Sequence, residues 1–192
     1  MKTSINSNNI SSYQTTLKHI LLDNSASSTW ETAVNEWEII KSSEDTSQNS
    51  SCICGKESIK YLYTIKNSIN NNILEPIGSS CIKKFGREDL KEFTEVKEQL
   101  FKLLNAYENK EIEIEFSSEF FSRKLFKKIF DDGFFKPNKY NKFDGENDYD
   151  FLIKMFNKRK KENITEKQWW KINKLFETVI SIFLENEIKN NL

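Results

Sequence analysis

Five glycines, two prolines and a single histidine are all that this 192-residue chain contains of those residue types, and their scarcity removes several kinds of chemistry. No G-x-x-x-x-G-K run is present to cradle phosphates and no G-x-S-x-G to raise a nucleophilic serine, while the lone His19 excludes the paired histidines of H-E-x-x-H. No apolar run approaches the roughly 20 residues that cross a bilayer. The Ser/Asn/Thr-rich stretch 1–22 also lacks the apolar centre of a signal peptide. The chain is therefore expected in the cytoplasm, without a membrane partner. An excess of one charge is missing too. The 29 basic and 29 acidic residues balance, which excludes a strongly basic nucleic-acid binder and a strongly acidic DNA mimic. Three cysteines are an odd set, and a reducing compartment disfavours disulfides, so their grouping points to a metal or to buried thiols.

What is present is aromatic. Four Trp, six Tyr and fifteen Phe, with 37% hydrophobic and 30% charged residues, are too much apolar material for a disordered chain. Leu17, Ile20 and Leu21 share one face of a helix expected over 13–22, with His19 beside that face. Ser28 and Glu31 suggest a capping box for a second helix carrying Trp30, Ala33, Val34 and Trp37. The polar stretch 41–51 has no periodicity and reads as a linker. From 59 to 66 apolar side chains recur at every second position (Ile59, Tyr61, Tyr63, Ile65), as in a half-buried strand. Asn and Ser then mark a turn over 67–72, and 73–77 returns as a strand that Pro76 confines to an edge.

After Gly86 a long helix is expected over 88–109, then a short Glu/Ile strand over 112–116. A helix capped by Ser117 or Ser118 should reach Asp132 and stop at Gly133, followed by an aromatic-anchored loop over 134–147 and a helix capped by Asp148. Thr165 and Gln168 form a capping box for the last helix. The expected fold is α+β and mostly α: a zinc-stapled β-hairpin with flanking helices and a C-terminal helical unit. Its two domains span 1–110 and 111–192, with the boundary within 109–117.

The chemistry-bearing constellation is C-x-C-G at Cys52, Cys54 and Gly55, with Cys81 in a Gly-Ser-Ser-Cys turn. The two groups sit at the same end of the expected hairpin, so strand pairing brings three thiols together. Thiolates are soft ligands that favour zinc, and glycine permits the bent backbone that aims sulfurs at a metal. Structural Zn²⁺ is the first reading, and three small buried thiols without metal is the plainer alternative. A closed site takes four ligands; His19, a carboxylate or a water are the candidates for the fourth position.

The run CICGKESIKYLYTIKN (52–67) followed by ILEPIGSSCIKKFG (73–86) resembles a zinc-binding module of small proteins from phages and mobile elements of Gram-positive bacteria. The shared features are C-x-C-G, the strand end I-x-N and I-G-S-x-C-I-K-K-F. The likeness covers about residues 30–90 well and the C-terminal half loosely. Some members carry a further cysteine where this chain has Tyr63, which leaves the fourth ligand open. Such proteins include anti-CRISPR inhibitors of type II effector nucleases. The resemblance therefore implies an inhibitor that binds a protein lobe of a CRISPR effector in the host cytoplasm and blocks target-DNA loading.

The alternative is a zinc-containing nucleic-acid-binding accessory protein. Lysine and arginine cluster at Arg123, Lys124, Lys127 and Lys128 and again over 158–161, and Trp169 or Trp170 offers a stacking face. The acidic residues Glu111, Glu113 and Glu115, with Asp144, Glu146, Asp148 and Asp150, are suited to a basic channel of a nuclease, although such alternation is more often the solvated side of a strand or a loop. Zinc deaminases use a cysteine-rich site, but their H-x-E and P-C-x-x-C signatures are absent, so an enzyme is not expected.

Overall fold

The computed structural model describes residues 6–190, with side chains from residue 12 on. The first five residues of the opening stretch lie outside them. The chain separates into one compact unit up to Glu98 and another from Gln99. The architecture is α+β, as expected.

In the first unit, α1 (Asn6–Asp23) and the one-turn α2 (Trp30–Ala33) precede three strands, β1 (Trp37–Glu44), β2 (Tyr61–Asn67) and β3 (Ile73–Gly78). These form an antiparallel sheet in the order β1-β2-β3. A short α3 (Ser79–Ile82) and the long α4 (Glu88–Glu108) follow. The β2–β3 hairpin stands where alternation placed it, and Pro76 lies on an edge strand, where its missing N–H does not interrupt the ladder. One core joins Leu17 and Leu21 of α1 to Trp37, Tyr63, Ile65 and Ile77 of the sheet and to Ile82 and Phe85.

Two expectations in this unit fail for one reason, long-range pairing. The second helix stops at Ala33, with Thr29 as an N-cap that makes no side-chain bond, and Trp37 opens β1 by pairing with Asn67. The stretch read as a linker supplies Lys41 to Glu44 of that strand. Asp45 then gathers the next turn, its carboxylate accepting from the amides of Ser47, Gln48, Asn49 and Ser50. Hydrogen bonds from the Ser47 and Ser50 side chains hold its carboxyl below the usual range.

At the other end of β1 lies a carboxylate that the sequence does not advertise. Glu36 is 4% exposed and accepts from Ala26 N and Ser27 N at 2.8 Å and from Asn67 Nδ2 at 2.6 Å. Burial alone would push its carboxyl up, but the bonds from Ser27, Asn67 and the Ala26 amide outweigh it and lower the pKa to about 2.

The second unit takes the C-terminal half of α4, with α5 (Arg123–Asp131), α6 (Glu146–Phe156), α7 (Glu166–Leu175) and α8 (Ser181–Asn190); a π-helical turn, Phe176–Ile180, joins the last two. The division falls inside α4 and not over 109–117. Thr94 and Glu98 bond to Tyr63 and Lys83, whereas Lys102 and Tyr107 bond forward to Glu119 and Glu185.

No strand forms over 112–116 among the described residues. Phe116 is instead buried among the rings of Phe121, Phe126, Phe156, Trp169 and Phe176, with centroids 5.9–6.3 Å away. Ser122, not Ser117 or Ser118, caps α5 by accepting from Leu125 N, and Gly133 ends that segment at φ 76°. Asp148 lies inside the first turn of α6; it is 5% exposed and bonded to Asn141 Nδ2 and Lys171 Nζ. The Thr165/Gln168 capping box forms as expected.

Candidate metal centre

Both cysteine loops are built by local backbone geometry. Cys52 N donates to Lys56 O and Gly55 N to Cys52 O, each at 2.8 Å. The turn closes through Gly55 at φ +89°, a left-handed conformation in which a side chain would be strained. Ile53 N donates to Pro76 O at 2.9 Å, tying this knuckle to β3. β3 ends at Gly78, and Cys81 follows in the short α3.

Cys81 Sγ lies 3.7 Å from Cys52 Sγ and 3.4 Å from Cys54 Sγ, and all three sulfurs fall within 4.8 Å of one another. A zinc ion with thiolate bonds of about 2.3 Å in tetrahedral geometry holds its sulfurs about 3.8 Å apart. A disulfide needs about 2.05 Å, and all three cysteines are free. The donor set therefore fits a soft divalent metal.

The electrostatics agree. The hydrogen bond shared with Cys81 outweighs burial at Cys52; with further bonds from the amides of Cys54 and Gly78, the latter at 3.3 Å, it lowers the thiol to about 5. Cys81 is pushed up by the bond it shares with Cys52 and then by burial. Burial pushes Cys54 up. A divalent cation binding here would displace the protons that the thiols retain and keep the sulfurs as ligands. The thiols are only 2–4% exposed, and they belong to the same core as Leu17, Trp37 and Ile77.

His19 does not join them. It is exposed on α1, and among the described residues the ligand group is the three thiols alone. The reason is helical geometry: Leu17 and Leu21 are fully buried, and a residue two positions from each points about 200° away. Nor is Tyr63 turned to this use, since its hydroxyl donates to Thr94 O at 3.4 Å. His19→Ala is accordingly expected to leave metal content unchanged and to shift stability by less than about 0.5 kcal/mol. Elemental analysis and a thermal melt check this, and joint loss of metal and stability would restore His19 as a ligand.

The basic runs are largely committed within their own unit. Lys127 pairs with Asp131, Lys128 with Asp132 and Lys160 with Glu162, while Arg123 donates to Asn157 Oδ1. Lys158 donates to Asn163 O and Gln168 Oε1, and Lys161 to the carbonyls of Met155 and Phe156. Trp169 is half-buried against Phe116, whereas Trp170 is 71% exposed. The loop over 134–147 is ordered by Asn138 and Asn141, yet it turns Tyr140 (82% exposed) and Phe143 (75%) outward.

Comparison with family models, with curated proteins and with solved structures finds no match to this chain. No helix among the described residues is long and apolar enough to cross a membrane.

Proposed function

We propose that Cys52, Cys54 and Cys81 hold one structural zinc ion and that the protein works by binding a partner, not by catalysis. The observation that carries the reading is the convergence of three thiols inside a closed core. An ion there would link the knuckle at 52–55 to the end of β3, and its binding energy would be folding energy. When bound, zinc would supply a charge-neutralising junction for the thiolates, with a water or another donor in the fourth position.

The outward-facing Tyr140, Phe143 and Trp170 support a docking role, because rigid exposed aromatics are the usual anchors of protein interfaces. A phage-type inhibitor acting in the cytoplasm, an anti-CRISPR protein that occupies a type II effector nuclease and blocks target-DNA loading, is the form that the sequence resemblance implies. The test combines two measurements on the purified chain. Elemental analysis should return about one zinc per chain, and protein added to the effector before target DNA should prevent cleavage in proportion to its amount. A shift of DNA mobility by the protein alone, falling steeply with added salt, would transfer the reading to nucleic-acid binding.

A further inference from the structure

The alternating stretch after α4 has another use than a strand. With Phe116 buried in the ring cluster, Glu113 and Glu115 are left exposed beside a cleft of about 370 Å³. Trp169, Ile172 and Phe176 form its apolar walls and Asn173 adds an amide. The volume falls within the roughly 300–1,000 Å³ of specific side-chain and ligand pockets.

The sign of the occupant follows from which charges are already satisfied. Lys161 also lines the cleft, but its ammonium donates to Met155 O at 3.2 Å and Phe156 O at 2.8 Å, where it offsets the negative end of α6. It further lies 5.0 Å over Phe116. Neither Glu113 nor Glu115 has an ion pair among the described residues. A cation is thus the complementary ligand, and aromatic walls favour one that is flat and weakly hydrated. Guanidinium stacks on rings and bonds carboxylates through a fork of N–H groups, which an ammonium does not.

We infer that this cleft receives an arginine side chain of a protein partner, with Glu113 and Glu115 pairing the guanidinium and Trp169 and Phe176 sheathing it. The inference rests on the protein-binding reading above and names the surface and the partner's chemistry.

The probe is a blocked Gly-Gly-Arg-Gly-Gly peptide titrated into the full zinc-loaded chain and followed by amide chemical shifts. Saturable shifts are expected at Glu113, Glu115, Trp169 and Asn173, with the lysine analogue about threefold weaker and the glutamate analogue silent. Glu113→Gln with Glu115→Gln should weaken the arginine peptide about tenfold. Both residues are exposed, so zinc content and melting should not change. No saturable shift, shifts confined to other residues, an equal response to the glutamate peptide, or an unaffected double variant would each overturn the assignment. Any of these in a chain that retains one zinc and its inhibitory action removes the cleft alone; loss of zinc or inhibition in the parent chain overturns the broader reading.

Discussion

Replacing Cys81 by Ser is expected to abolish zinc binding at the proposed site and to lower the melting temperature of the N-terminal unit by more than about 10 °C. The substitution removes the sulfur that lies 3.7 Å from Cys52 and 3.4 Å from Cys54, and it leaves a poorly soft hydroxyl 2% exposed in an apolar core. Structural zinc in small domains contributes on the order of 10 kcal/mol of apparent folding energy, so losing even about 3 kcal/mol is a conservative expectation. For a unit of this size each kcal/mol moves the midpoint by about 4–8 °C. Phe85 and Leu90 share the core with Cys81, so the variant should also expose apolar surface and aggregate. A variant with native circular dichroism and unchanged melting would remove the structural role of the site. If such a variant also lost a measurable reaction, the site would be catalytic, because a catalytic centre can lose a ligand while the fold persists.

Glu36→Ala should destabilise the same unit by about 3 kcal/mol without touching the metal. It strands the Ala26 and Ser27 amides and Asn67 Nδ2, all within 2.8 Å of the carboxylate, and each buried donor left unpaired costs about 1–3 kcal/mol. Glu36→Gln keeps one acceptor oxygen and should cost about half as much. The same carboxylate gives the unit an acid sensitivity. Its folded pKa of about 2 lies below the ordinary 4.5, so its contribution is complete above about pH 4.5 and is lost as pH falls toward 2. Chemical denaturation at pH 7 and pH 3 should show the parent losing more stability than Glu36→Gln over that interval. Equal losses in both would exclude Glu36 as the titrating group.

The sequence alone determined the features whose causes act over a few residues. Alternation over 59–66 and the Asn-rich turn specify the hairpin, because a strand with one buried face repeats every second residue. The C-x-C-G and Gly-Ser-Ser-Cys turns flank that hairpin, so its pairing, with the Ile53 N–Pro76 O bond, brings the three thiols within 4.8 Å. The Thr165/Gln168 box and the left-handed Gly133 mark their helix ends through bonds made within the segment. His19, read beside the apolar face of α1 as a candidate fourth ligand, is instead exposed and outside the thiol group.

Tertiary structure alone decided the rest. Trp37 follows three residues of helical pattern, yet it enters a strand because Asn67, 30 positions later, offers a partner register. Glu36 is buried by donors at positions 26, 27 and 67. Phe116 leaves its Glu/Ile alternation because rings from α5, α6, α7 and the π-turn enclose it, and that displacement creates the acidic-rimmed cleft. Capping and periodicity are local free-energy terms that a short window of sequence carries, whereas strand register, a buried carboxylate and an aromatic cluster depend on groups brought together only when distant segments pack.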